Sequence, residues 1–245
     1  VKKVLIIGAT SAIAQSLADQ LAATGATLFL CARSSARLDL IARDLQLRHN
    51  AVIHTAVIDF DDFSQHAPLI DRAFQQLGGL DLAIVCHGSL PDQQACERDA
   101  LLAEAAFRVN CLSPISFVAH LATRFADRSS GCIVAISSVA GDRGRGSNYI
   151  YGAAKAALSV YLDGLRNRLY PARVRVITVK PGFVDTPMTA HLKSGLLTAS
   201  PGTVARDILR AAAHGNGVLY TPWFWRWVML IIRLIPEPLF IRLKL

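Results

Sequence analysis

Short apolar runs alternate with longer stretches of mixed polarity along the whole chain. The runs fall near residues 3–7, 27–31, 52–58, 81–85, 131–137, 174–179 and 217–220. The first, Lys3-Val4-Leu5-Ile6-Ile7, has no polar–apolar alternation after its lysine, so it reads as a strand buried on both faces. The spans between runs read as helices, the first of them opening after Gly8 and ending near Thr24. Such alternation predicts an α/β fold: one Rossmann-like, doubly wound parallel sheet of about seven strands with helices on both faces. Ligands of these sheets bind in a crevice outside the carboxyl ends of the strands. Gly8, Gly88, Ser138 and Pro181 all stand at those ends. No linker, low-complexity tract or internal repeat interrupts the pattern, and 1–221 reads as one domain with 222–245 as its apolar, basic extension.

The first strand runs directly into Gly8-Ala9-Thr10-Ser11-Ala12-Ile13-Ala14. A strand-to-helix turn of this kind aims backbone N–H groups and a helix N-terminus at an anion such as a pyrophosphate. Ala12 and Ala14 occupy the places of the second and third glycines of a dinucleotide turn, and a turn with one glycine is also common in helix connections of no special function.

Further along, Tyr151 and Lys155 lie four apart in a helical stretch and share one face. An ammonium beside the phenol is expected to lower its pKa from about 10 toward a useful range. Ser138, at the end of an apolar run, would reach the same point and donate to a substrate carbonyl. A Tyr–Lys pair alone also suits a solvated helix.

Taken in order, these motifs resemble the short-chain dehydrogenase/reductase family from Val4 to about residue 221. Gly8 to Ala14 match its cofactor turn with two Gly-to-Ala departures. Asp59 matches its adenine-binding acid, Asn110 its active-site asparagine, and Ser138, Tyr151 and Lys155 its catalytic trio. Pro181-Gly182-Phe183-Val184-Asp185-Thr186 matches the segment whose threonine holds the nicotinamide carboxamide. Val85-Cys86-His87-Gly88 keeps only the glycine of the usual Asn-Asn-Ala-Gly. The resemblance implies nucleotide contacts from Gly8, Thr10, Ser11, Ala12, Ile13, Arg33, Asp59, Phe60, Gly88, Tyr151, Lys155, Pro181, Gly182, Val184 and Thr186. It implies hydride transfer between a nicotinamide and a ketone or alcohol, with Tyr151 handling the proton, Ser138 orienting the oxygen and Asn110 placing a water near Lys155. A homo-oligomer is also expected. Within the family, Ser137 to Arg143, Pro181 through Met188-Thr189-Ala190-His191-Leu192-Lys193 and the tail from Trp223 to Leu245 resemble the reductases that make decaprenylphosphoryl arabinose from its 2-keto precursor. That likeness implies a 2-keto sugar on a polyprenyl phosphate.

Cofactor choice turns on Ala32-Arg33. A carboxylate for the ribose 2′-hydroxyl is expected about 20 residues beyond the glycine turn in an NAD enzyme. None stands there, and Arg33, with Arg37 one turn on, suits the 2′-phosphate of NADP. NADP is therefore the expected nucleotide and NAD the alternative, with Arg33 then a loop residue.

Composition adds bounds. A chain of 245 residues with 52% apolar content supports one large core. Five cysteines, an odd number without metal-ligand spacing, point to a reduced, cytoplasmic setting, and no metal site is expected. Lys2-Lys3 and the apolar run after them read as a first strand, not a leader. Of the histidines, only His87 is placed near the cofactor. The net charge of +8 is dispersed and lacks a nucleic-acid motif, so no nucleic-acid partner is expected. Arg143 and Arg145 either meet an anionic substrate such as a lipid phosphate or are solvated loop charges.

The tail Trp223 to Ile235, between Pro222 and Pro236, would form a helix only ~20 Å long, too short to span a bilayer. Arg226 and Arg233 share one face, with tryptophans and aliphatic residues around them. A helix in a membrane interface fits this pattern, at the inner face of the plasma membrane, and so does a segment covering the cleft or a subunit contact. Two classes of function remain: a nicotinamide-dependent ketone reductase, and a non-catalytic nucleotide-binding sensor or scaffold suggested by the altered turn motifs.

Overall fold

β1 (Lys3–Ile7) sits inside a seven-stranded, all-parallel sheet with β2 (Thr27–Ala32), β3 (Ile53–Val57), β4 (Leu82–Val85), β5 (Cys132–Ile136), β6 (Arg175–Pro181) and β7 (Gly217–Thr221), ordered β3-β2-β1-β4-β5-β6-β7. The computed structural model describes residues 2–189, 195, 197–215 and 217–243. The chain leaves β1 toward β2 and β3, then returns to build outward from β4 on the other side. That reversal opens a crevice beyond the carboxyl ends of β1 and β4.

The helices are α1 (Ala12–Ala23), α2 (Ser35–His49), α3 (His66–Leu77), α4 (Gln93–Arg98), α5 (Ala100–Phe107), α6 (Ser113–Asp127), α7 (Tyr149–Leu169), α8 (Pro201–His214), α9 (Trp225–Leu234) and α10 (Glu237–Phe240). Successive strand residues face opposite sides of the sheet. Val4 and Ile6 accordingly join a core with Leu17 and Leu21 of α1, Leu45 of α2 and Ile208 of α8. Leu5 and Ile7 join the other, with Ile70 of α3, Phe117 and Phe125 of α6, and Leu162 of α7. Burial on both faces explains why inner strands such as β1, β2, β4 and β5 read as unbroken apolar runs, whereas the edge strands β3 and β7 are only partly buried.

Two helical details shape the crevice. Between α5 and α6 the chain makes a π-helical turn, Arg108–Leu112, in which the Ser113 amide bonds to the Arg108 carbonyl five residues back. The stretch Ala100–Asp127 is long and apolar enough to cross a membrane, yet Phe117, Val118, Leu121, Ala122 and Phe125 are fully buried core residues. At the other end, α9 is shorter than the proline-bounded span suggested, because the helix begins only at Trp225. Its inner face, Trp225 and Met229, packs on Val139. Arg143 ties its end down, donating to the Ile232 and Ile235 carbonyls at 2.6 Å each and to Glu237 at 2.8 Å. The guanidinium also lies 3.6 Å from the Phe240 ring centre.

Candidate active site

A cleft of about 380 Å³ occupies the crevice, within the ~300–1,000 Å³ typical of ligand pockets. Gly8 begins its wall. At φ +85° the residue needs glycine's conformational freedom, and a Cβ there would lie 2.6 Å from the His87 amide nitrogen. The Gly8 and Ala9 amides both donate to the Cys31 carbonyl at 3.0 Å, fixing the turn. Ser11 caps α1 by accepting from the Ala14 amide at 3.2 Å. The amides of Ala12 and Ile13 belong to the first turn, where a helix supplies no acceptor, so this end of the cleft suits an anion. The two alanines at glycine positions differ: Ala12 lines the cleft, while Ala14 is fully buried against the sheet.

The reactive-looking end is built by packing α7 hard against the segment after β5. A Cβ on Gly141 would lie 2.7 Å from the Ala156 amide nitrogen, and one on Gly152 would lie 2.8 Å from the Ala140 carbonyl oxygen. Small residues on both sides therefore let Ser138 approach Tyr151. Ser137 locks the arrangement, donating to the Lys155 carbonyl at 2.9 Å. Ser138 accepts from the Ala140 amide at 3.1 Å and heads a short 3₁₀ turn, Val139–Asp142.

Ser138, Tyr151 and Lys155 all line the cleft. The expected acidification of Tyr151 by Lys155 does not appear. The Lys155 ammonium sits 5.7 Å from the Tyr151 ring centre and donates to the Ile136 carbonyl at 3.0 Å. Burial pushes the phenol up to about 12, offset in part by a hydrogen bond with Ser138. Burial likewise pulls Lys155 down to about 8. Desolvation is the leading cause for each group and neither figures in the other's shift, so the protein holds Tyr151 as a protonated phenol at neutral pH.

Asn110 and Asp59 stand apart from the cleft wall. Asn110 lies in the π turn, fully buried; its amide donates to the Ala106 carbonyl at 2.9 Å and accepts from the Ser89 amide at 3.1 Å. A Cβ on Gly88 would meet Asn110 Oδ1 at 2.9 Å and Lys155 Nζ at 3.3 Å. Asn110 thus holds the Gly88–Ser89 turn beside Lys155. Asp59 is exposed and accepts from the Asp61 amide at 3.0 Å, and the wall at this point is Phe60 and Asp61.

Thr10, Ser11, Ile13, Arg33, Gly88, Pro181, Gly182, Val184 and Thr186 line the cleft as well. Thr186 Oγ1 is 3.2 Å from Thr189 Oγ1. Of the run Met188–Lys193, the first two residues are on the wall, and 190–193 lie outside the described residues. His87 stacks on Phe60 with ring centres 4.5 Å apart and bonds to Ser113 at 2.9 Å. Burial holds it far below the ordinary histidine range, hence neutral. Among the described residues no group of His, Cys, Asp and Glu is arranged to hold a metal ion.

The sequence profile described as short chain dehydrogenase matches residues 2–196. The protein belongs to this family. An uncharacterized oxidoreductase of Mycobacterium tuberculosis H37Rv, Rv2073c, is 36% identical over 234 residues, covering 96% of this chain and 94% of its own. An oxidoreductase encoded in the mprA 5′ region of Streptomyces coelicolor is 33% identical over 243 residues, covering 99% and 96%. The fold is similar to that of levodione reductase, with a TM-score of 0.81 and 20% identity over 90% of this chain and 95% of that one. ElxO with NADP bound gives 0.80, again at 20% identity, covering 89% and 96%. The dehydrogenase is therefore an oxidoreductase of short-chain type, and the non-catalytic scaffold is not favoured.

Several wall residues of this dehydrogenase had no motif to announce them. Trp225 reaches the cleft from α9, edge-on to Phe183 with ring centres 5.5 Å apart. Its indole N–H would lie 1.9 Å from a Cβ on Gly182, so that glycine makes the space for the ring. The amphipathic tail was the available signal. Arg145 and Asn148 line the cleft, whereas Arg143 is spent on the tail; nothing in the sequence separates the two arginines.

Proposed function

We propose that the protein is a nicotinamide-dependent ketone reductase that prefers NADP. The observation that carries this reading is the meeting of Ser138, Tyr151 and buried Lys155 in the same cleft whose other end is the Gly8 turn. The first-turn amides of Ala12 and Ile13 and the close Gly8–His87 approach suit a dinucleotide pyrophosphate, and Thr186 and Lys155 would hold its nicotinamide half. When bound, the nicotinamide supplies two electrons and a hydrogen to a carbonyl carbon, or takes them from an alcohol.

The chain's own part is proton handling and alignment. Tyr151 carries the proton destined for the carbonyl oxygen, and its raised pKa keeps that proton in place until it is used. Ser138 offers a hydroxyl to the same oxygen. Asn110 acts behind the wall by fixing the Gly88–Ser89 turn next to Lys155. Arg33 and Arg37 line the end nearest α2 with no carboxylate paired to either among the described residues, which favours a 2′-phosphate. Tyr151→Phe is expected to lower turnover by about 10²-fold or more while nucleotide affinity stays within a few-fold. Substantial residual reduction would assign the proton to another group. Arg33→Ala should raise KM for NADPH and leave KM for NADH unchanged, and an unaltered NADPH value would remove Arg33 from cofactor selection.

The finer substrate we propose is a 2-keto sugar on a polyprenyl phosphate, worked on by a cytoplasmic homo-oligomer resting at the inner membrane face. The outward side of α9 and the residues just before it support the last point. Trp223, Trp227, Ile231 and Leu234 are 73%, 55%, 66% and 72% exposed, with Arg226 and Arg233 exposed among them. Tryptophan, aliphatic and arginine side chains in one exposed strip match a helix lying in the interface of an anionic bilayer. Co-flotation with phosphatidylglycerol vesicles should be lost in an Ile231→Asp, Leu234→Asp double variant. Flotation unchanged by that variant would reassign the strip to a subunit contact.

A further inference from the structure

Arg145 is a cation that no anion meets among the described residues. Among the described residues no carboxylate forms an ion pair with it, and its Nε is buried without a hydrogen-bond partner. Every neighbouring charge in this loop is already used: Arg143 is paired with Glu237, and Asp142 with Lys180 at 2.5 Å and with Tyr220 at 2.8 Å. Burial alone lowers the Arg145 pKa, with no compensating partner. Three residues on, the Asn148 side-chain oxygen is also buried and unpartnered. Both residues line the cleft together with Ser138 and Tyr151. A buried charged donor and a buried acceptor left unsatisfied are each destabilising, and a complementary ligand would remove that cost. The charge of the wall points the same way, for its ionisable side chains include Arg33, Arg37, Arg145 and Lys155 against the carboxylate of Asp61.

We propose that Arg145 and Asn148 form a substrate-recognition subsite for an anionic group, a phosphate or phosphodiester, with a neighbouring hydroxyl donating to Asn148. The inference rests on the reductase reading for its meaning, since it makes the substrate an anionic hydroxyketone. The subsite itself is an anion-binding property of the free protein. Arg145 acts through its planar pair of donors, which match phosphate oxygens in a way a lysine does not. Its neighbours Gly144 and Gly146 leave open space around their backbones, so the loop can approach a bulky group.

The test is calorimetric titration of the full chain with hexyl phosphate, inorganic phosphate and hexanol, for the wild type, Arg145→Gln and Arg145→Lys. Thermal unfolding of the variants should be no lower than that of the wild type, because among the described residues the replaced side chain makes no ion pair or hydrogen bond that would be lost. Hexyl phosphate is expected to bind the wild type, at least tenfold more weakly to Arg145→Gln, and at an intermediate level to Arg145→Lys, with hexanol weakest throughout. A tenfold preference for hexyl phosphate over inorganic phosphate would assign the anion to a lipid-linked substrate, and equal affinities to a free phosphorylated one. Hexyl phosphate affinity within twofold of wild type in Arg145→Gln would overturn the subsite. Loss of that binding in an enzyme that reduces no ketone would keep the subsite and remove the reductase reading. Ketone turnover abolished by Tyr151→Phe, with anion affinity indifferent to Arg145, would do the reverse.

Discussion

Lys155 is held at a cost, and that cost is measurable. Its pKa falls from 10.5 to about 8 on folding because burial disfavours the ammonium. A lysine depressed in this way binds fewer protons folded than unfolded, so its contribution to stability rises with pH across the window from about 8 to 10.5. Relative to Lys155→Met, wild-type unfolding free energy should increase by roughly 2 kcal/mol between pH 7 and pH 10. Urea midpoints at pH 7, 8, 9 and 10 would show it, and a constant difference would mean that the ammonium is better solvated than its 3% exposure indicates. At this scale the sequence named the trio but misjudged its electrostatics. An i, i+4 spacing says that two side chains share a face; it does not say that one of them turns to the Ile136 carbonyl instead.

Among elements, the inner strands were the most legible, because burial on both faces writes them as continuous apolar runs. β6 extends to Pro181, beyond the expected end, since its last residues pair with β7. The π turn carrying Asn110 was not legible: its residues, Arg108-Val109-Asn110-Cys111-Leu112, have helix-compatible chemistry, and the shift in hydrogen-bond register depends on what packs around it. The Gly8 turn was legible in part, as its glycine is dictated by local backbone shape. Gly8→Ala combines an unfavourable φ with a backbone collision at His87, so a loss of about 2 kcal/mol or more in stability is expected. Chemical denaturation with and without NADP would separate that loss from a change in nucleotide affinity. A variant of wild-type stability would show that the β1 and β4 turns are free to move apart.

Across the whole molecule the tail and the cleft form one unit. The sequence left the tail with three readings because amphipathicity identifies two faces without saying what each one meets. Packing resolves the inner face: Trp225 and Met229 lie on Val139, and Arg143 gathers the end of α9 and α10 onto the loop after Ser138. Arg143→Gln should therefore loosen the last segment, giving cleavage near Arg226 or Arg233 by trypsin at least severalfold faster than in wild type, with a stability loss of about 1–3 kcal/mol. Equal cleavage rates would assign the anchoring to the apolar contacts alone.

Trp225 has a consequence for how the protein can be watched. Its indole stands in the wall of the cleft against Phe183, while Trp223 and Trp227, the chain's other tryptophans, look outward from the same segment. With those two replaced by phenylalanine, the remaining tryptophan emission would come from a ring in the wall of the cleft. Occupancy of the cleft would then be read as light, without any need to know in advance which molecule occupies it.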